Sequence, residues 1–230
     1  MHRAAAGDKV GGLKLEAALG EGGFGTTWRA RAIDNISLQG VALRRGEVVA
    51  LKLLRLEEGW VALDRFEREA SVLRRLDHPA IPPFYGTLIR DRPQGQDFGL
   101  VSKLVDGPSL QALVRDGRWT ATVANIRRLA EVLLGACTHL AAFAPPVVHR
   151  DIKPANVVLE PSAPGEAGGA EWRPFLVDFG AAVLGGGAKT TAVGTFGYMA
   201  PESFGQLFTP KSDLYGVGAT LLYAVTGCEP

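Results

Sequence analysis

Cysteine is scarce: Cys137 and Cys228 are the two thiols in a chain of 230 residues. Two thiols so far apart in sequence make neither a disulfide scaffold nor a zinc module by spacing, so a reduced intracellular chain, cytoplasmic by default, is the expectation. Net charge is also nearly absent, at +1. That argues against a general nucleic-acid or membrane-surface binder, which needs a basic footprint. Long apolar runs are missing as well. The longest uncharged apolar stretch, Leu214–Cys228, is too short to span a bilayer comfortably and reads as a buried core helix. The opening MHRAAAGDKVGG has basic residues but no apolar centre, so it is no secretory signal.

What is present describes a folded, loop-rich chain. Hydrophobic residues make up 47% and charged residues 21%, which excludes a disordered polymer. The length is enough to bury a sizeable core without disulfide or metal staples. Residues 1–12 are small and polar and are expected to be flexible. From Leu13 to about Leu56 the pattern is that of strands, with "NISLQGVALRRG" as a turn or loop insertion. Leu63, Phe66, Ala70, Leu73 and Leu76 then recur at helical spacing, and His78-Pro79 is expected to stop that helix. Strand-like runs follow at Ile81–Ile89 and Phe98–Val105. The first hundred residues thus read as a mostly antiparallel sheet with one helix. Beyond Asp106-Gly107 the character turns helical, in "PSLQALVRD", in "VANIRRLAEVLLGACTHLAAFA" and after Asp213. Two short strands, near Val157–Leu159 and Phe175–Val177, flank a Pro/Gly/Ala-rich loop. The class is α+β.

Three constellations carry chemistry. Gly20-Glu21-Gly22-Gly23-Phe24-Gly25 is a G-x-G-x-x-G run. Alone it is equally a hairpin turn, but glycines let backbone approach a phosphate unobstructed. A dinucleotide fold needs a helix directly after such glycines. Here Thr26-Thr27-Trp28 favours a strand, so the run suggests a flap over a nucleotide. Second, Lys52 lies in the apolar strand Val49-Ala50-Leu51-Lys52. A lysine there either snorkels at an edge or is a cation aimed at phosphates and held by a carboxylate. Glu69 shares the inward face of the following helix and is the candidate partner, against the commoner case of a solvated helix charge. Third, Val148-His149-Arg150-Asp151-Ile152-Lys153-Pro154-Ala155-Asn156 concentrates a carboxylate, a lysine and an amide in one loop, and Asp178-Phe179-Gly180 follows an apolar strand. Asn156 and Asp178 are hard oxygen donors suited to magnesium. Asp151 could accept a hydroxyl proton.

This ordered set, completed by Ala200-Pro201-Glu202, resembles the protein kinase superfamily, in particular bacterial-type serine/threonine kinases. The resemblance runs from about Leu13 to the last residue. It implies a two-lobed kinase-like α+β fold, with an antiparallel-sheet N-lobe carrying one helix at 13–104 and a mainly helical C-lobe at 105–230. It implies that Gly20, Gly22 and Gly25 cover the phosphates of ATP and that Thr27, Ala50, Ser102, Lys103 and Val105 line the nucleotide site. Lys52 would contact the α- and β-phosphates and pair with Glu69. Asn156 and Asp178 would hold Mg2+, with Mn2+ as a substitute. Asp151 would orient and deprotonate a substrate hydroxyl, and Lys153 would support the transferring phosphoryl group. Thr195 would sit near Asp151 and Lys153 and help fix a serine/threonine preference. Thr190 and Thr191 are candidate autophosphorylation sites for Arg150 to receive. His149, Phe179 and Leu73 resemble members of the apolar stack that links the lobes. Asp213 resembles the anchor of the catalytic-loop backbone; as a bare sequence feature it is a helix N-cap.

The sequence departs from the family at four places. Thr27 replaces a usual valine, Ser102 is small for the gatekeeper position, and Lys103 stands where Glu is frequent. The fourth is the end at Pro230, soon after the helix near Asp213. The expectation is a C-lobe lacking its last helices, with no arginine for Glu202 and an apolar face open to self-association. The implied partners are ATP and a protein substrate, with no nucleic acid and no membrane segment. Two other readings stay open: a kinase-fold binding or regulatory module made inactive by truncation, and a small-molecule phosphotransferase.

Overall fold

The computed structural model describes residues 4–22, 25–54, 60–92, 95–162, 171–185 and 194–230. The chain divides into two compact units, Met1–Arg75 with Pro83–Leu104, and Leu76–Pro82 with Val105–Pro230.

The first unit is built on a six-stranded antiparallel sheet. Its members are β1 (Lys9–Val10), β2 (Leu13–Gly22), β3 (Gly25–Ala32), β6 (Val48–Leu54), β7 (Phe84–Arg92) and β8 (Gly95–Lys103), in the spatial order β1-β2-β3-β6-β8-β7. Alternation sets the faces. Val49, Leu51 and Leu53 of β6 point to one side with Trp28, Ala30, Leu15 and Val101, forming the larger core of this unit. Two expectations are corrected on that side. Lys9–Val10, inside the stretch expected to be flexible, pairs with Leu13 and Lys14, and Val10 is fully buried. The stretch read as a loop insertion holds a hairpin, β4 (Ile36–Leu38) and β5 (Val41–Leu43). Gln39 (φ 49°) and Gly40 (φ 93°) supply the left-handed two-residue turn that suits a twisted hairpin. Leu38 and Leu43 join the core from it.

The other face of the sheet takes α1 (Trp60–Leu73). Phe66 and Ala70 bury against Leu54, Phe98 and Leu100, with Leu63 and Leu73 at the margin. The Phe66 and Phe98 rings lie 4.9 Å apart. Burying a side chain such as Phe66 contributes about 1.5–3 kcal/mol. The helix ends at Leu73, before the His78-Pro79 stop read from the sequence, and Leu76–Pro82 belongs to the second unit.

The second unit contains α2 (Leu110–Arg115), α3 (Val123–Ala141), α4 (Pro210–Thr226) and two short strand pairs. These pairs are β9 (Val147–Val148) with β12 (Val183–Leu184), and β10 (Val157–Pro161) with β11 (Trp172–Leu176). The starts of α2 and α3 are capped: Ser109 accepts from Ala112 N, and Thr122 accepts from Asn125 N, each at 3.1 Å. Buried Asn125 also accepts from Glu171 N at 2.8 Å, tying the start of α3 to the approach to β11. Leu129, Leu133, Ala136 and Leu140 form the buried stripe of α3. Both cysteines are free thiols, Cys137 buried and Cys228 exposed. Leu214, Tyr215, Leu222 and Val225 of α4 are exposed. Among the described residues, no helix is long and apolar enough to cross a membrane.

One pH response follows from this unit. His78 Nδ1 accepts from Ala80 N at 3.2 Å, and its ring lies 5.2 Å from that of His139. Burial, then the neighbouring His139, holds the His78 pKa below the ordinary 6.5. The unfolded chain therefore takes up a proton before the folded one does, so stability falls as pH drops below 6.5 towards the folded-state value. Thermal melts between about pH 7 and pH 5 will show this decline, and His78→Gln will flatten it.

Candidate active site

In the first unit the sheet register assembles the site residues. Directly paired residues of antiparallel strands share a face. Gly20 pairs with Thr27, Thr27 with Lys52, Lys52 with Leu100 and Ala50 with Ser102. Gly20, Thr27, Ala50, Lys52 and Ser102 thus lie on one face, opposite the larger core. Lys103 falls on the other face, is exposed, and donates its N–H to Pro83 O at 2.9 Å. Lys52 Nζ is 2.8 Å from Glu69 Oε1 and 3.1 Å from Oε2. The Glu69 side chain is 5% exposed and that of Lys52 12%. Each thus compensates the other's burial, and Lys52 is held in place by the helix.

The glycine run spans the turn between β2 and β3, with Gly22 paired to Gly25 and Gly23-Phe24 outside the described residues. Gly25 has φ +140°, and a Cβ there would lie 2.2 Å from Leu53 O. Its glycine is thus required for packing on β6, a reason the motif alone did not give.

In the second unit one carboxylate is the centre. Asp151 Oδ1 accepts from Thr195 Oγ1 at 3.0 Å, while Oδ2 lies 2.8 Å from Lys153 Nζ and 3.0 Å from Asn156 Nδ2. Lys153 Nζ also donates to Thr195 Oγ1 at 2.6 Å, and Asn156 Nδ2 to Asp151 O at 2.8 Å. The loop is anchored from α4. Asp213, 3% exposed, accepts from His149 N at 2.8 Å and from Arg150 N at 2.9 Å. Burial pushes its carboxyl above the ordinary range, opposed by His149 and by those two amides. The helix begins at Pro210 after Thr209, so Asp213 is not the N-cap a bare reading suggests. Gly216 lets α4 lie flush on the loop, since a Cβ there would stand 2.9 Å from Ile152 O.

Val177 N donates to Asn156 O at 2.9 Å, placing the loop beside the strand that leads into Asp178. Asp178 is exposed, has φ +64° and accepts from Gly180 N at 3.2 Å. Because the donor group of Asn156 is committed to Asp151, its oxygen is the atom left to face a cation. Among the described residues no three His, Cys, Asp or Glu side chains form a metal cage. Two oxygen donors completed by phosphate and water are what magnesium uses, so this donor set fits such an ion.

Other expected residues are placed as follows. The His149 and Phe179 rings are 4.7 Å apart, and Leu73 packs within the first unit. Arg150 Nε donates to Ala181 O at 2.6 Å, and its guanidinium lies 4.6 Å from the Phe208 ring centre. Thr190 and Thr191 lie outside the described residues. Glu202 accepts from Ser212 Oγ at 2.9 Å. Val105, at the start of the second unit, accepts from Gly107 N at 3.2 Å.

The family model described as protein kinase domain matches residues 13–230. The chain belongs to the protein kinase domain family. Its curated relatives include serine/threonine-protein kinases of bacteria. The serine/threonine-protein kinase PkaA of Streptomyces coelicolor is 39% identical over 224 residues, which cover 94% of this chain and 39% of the relative. The serine/threonine-protein kinase PknD of Mycobacterium tuberculosis is 35% identical over 236 residues, covering 97% of this chain and 31% of the relative. PknJ of the same organism is 33% identical over 239 residues, covering all of this chain and 36% of the relative. The kinase domain thus spans well under half the length of these relatives.

Proposed function

We propose that the chain transfers the γ-phosphate of ATP to serine and threonine hydroxyls of protein substrates, its own included. The observation that carries this is the Asp151 cluster: a carboxylate with Asn156 and Lys153 at one oxygen and Thr195, also bonded to Lys153, at the other. Asp151 orients the acceptor hydroxyl and takes its proton as the new P–O bond forms and the bond from the γ-phosphorus to the bridging oxygen breaks, releasing ADP. Lys153 places a positive charge where the transferred group's oxygens gather negative charge. Thr195, bonded to both, fixes their separation. In the first unit, Lys52, oriented by Glu69, supplies the charge for the nucleotide phosphates, and the face with Thr27, Ala50 and Ser102 takes the adenine. Asn156 and Asp178 would hold a divalent ion, Mg2+ or Mn2+, which neutralises phosphate charge when bound.

The test offers Mg-ATP with a basic protein acceptor and, in parallel, with small amine and sugar acceptors. Transfer to the protein alone supports the proposal. Transfer to the small molecules alone replaces it with a small-molecule phosphotransferase, and nucleotide binding without any transfer replaces it with a binding module.

Ser102 yields a separate expectation. Its short side chain on the nucleotide face leaves room for purine-like inhibitors with bulky substituents. Ser102→Met will weaken these inhibitors by about tenfold or more while ATP turnover persists, since a lost apolar contact of a few carbons is worth that factor. Dose–response curves on both proteins check this.

A further inference from the structure

The turn Thr195–Tyr198 is pinned at both ends. At its start Thr195 is bonded to Asp151 and Lys153. Tyr198 N then closes the turn on Thr195 O at 3.0 Å. At its end the Tyr198 ring is buried, 6% exposed, and its hydroxyl donates to Glu229 Oε2 at 2.7 Å. Glu229 reaches it because α4 stops at Gly227, whose left-handed φ of 71° turns the chain back. Gly197 (φ +89°) receives the chain beyond: a Cβ there would lie 2.7 Å from the Pro230 backbone oxygen. Burial first, then the bond to Glu229, keeps the Tyr198 phenol well above its ordinary range, so it remains a donor at neutral pH.

One helix therefore serves both sides of the Asp151 cluster. Asp213, in its first turn, holds the amides of His149 and Arg150, and Glu229, just past its end, holds the turn that carries Thr195. We propose that Glu229 is a positioning residue for phosphoryl transfer, acting through Tyr198 to keep Thr195 in register with Asp151 and Lys153. This rests on the kinase reading of that site. Glu229 touches no reacting atom; it restricts the segment against which an acceptor must lie.

The experiment compares Tyr198→Phe, Glu229→Ala, Glu229→Gln and the double variant Tyr198→Phe/Glu229→Ala, using the full chain. Two quantities are read: amide exchange of residues 195–199, and steady-state kinetics with a basic protein acceptor. Tyr198→Phe and Glu229→Ala are each expected to speed exchange at these amides and to lower acceptor kcat/KM by about tenfold, the factor for a lost hydrogen bond to a charged group. The KM for ATP stays near its wild-type value. Glu229→Gln, which keeps an acceptor oxygen, restores both quantities. The double variant is no worse than either single one, because both remove the same bond. Unchanged exchange in both single variants overturns the link. Faster exchange with unchanged acceptor kinetics overturns the positioning role. Losses that multiply in the double variant, or a Glu229→Gln protein as poor as Glu229→Ala, also overturn it. If Glu229→Ala fails to fold, the near-isosteric Tyr198→Phe and Glu229→Gln decide. Failure of the kinase reading would show differently, as a wild-type chain that transfers no phosphate, and exchange would still report on the link.

Discussion

Asp151→Asn lowers phosphoryl transfer by a factor of about 10²–10⁴, the usual contribution of a positioned general base, and leaves nucleotide affinity nearly unchanged. The substitution is close to isosteric, so the loop keeps its anchor on Asp213. The chemistry changes at two atoms. One carboxylate oxygen becomes an NH2 that cannot take the acceptor's proton. That side chain also stands among donors, the Lys153 ammonium and the Asn156 amide on one side and the Thr195 hydroxyl on the other. A donor facing donors distorts the cluster as well as removing the base. Single-turnover rates alongside binding of a fluorescent nucleotide analogue separate the two quantities. Transfer at the wild-type rate would remove Asp151 from the mechanism.

Asp213→Ala is expected to damage both stability and turnover. The carboxylate is buried and accepts from two backbone amides 64 and 63 residues away. Its removal strands those N–H groups, each costing about 1–3 kcal/mol when buried and unsatisfied. Together that is a large share of the roughly 5–15 kcal/mol that holds a domain folded. The loop that carries Asp151 suffers most directly, because Arg150 sits at φ 68°, a conformation that side chains adopt only when held there. Asp213→Asn keeps one acceptor oxygen and is expected to fall between. Thermal melts and kcat, measured at a temperature where the variant is still folded, check this. A variant within about 0.5 kcal/mol of wild type, as an ordinary surface change would be, would contradict the anchoring role.

Much of the fold is legible because local patterns carry it. The alternation in Val49-Ala50-Leu51-Lys52 places Lys52 opposite the core, and the helical spacing of Phe66 and Ala70 places Glu69 on the inward side. What escaped depends on contacts distant in sequence or on very short pieces. Two-residue strands such as Lys9–Val10 and Val147–Val148 have no period to detect, and their partners alone define them. The hairpin at Ile36–Leu43 is hidden because its turn uses Gln39-Gly40 in place of the Asn-Gly or Asp-Gly that signals such a turn. Among the site residues, Lys52, Asp151, Asn156 and Asp178 stand in recognisable strings. The anchoring role of Asp213 is legible only through the family resemblance. Glu229 carried no signal, since its contact with Tyr198 spans 31 residues and lies in no motif. The second reason for Gly25, its approach to Leu53, likewise needs the sheet register.

The central claim is that this kinase domain moves a phosphoryl group to serine or threonine. The most direct measurement is phosphoamino-acid analysis after incubation of the chain and a basic acceptor protein with γ-labelled Mg-ATP. The account predicts label on phosphoserine or phosphothreonine, lost with Asp151→Asn. No label on the chain or the acceptor, label confined to tyrosine, or label that persists in Asp151→Asn would contradict it.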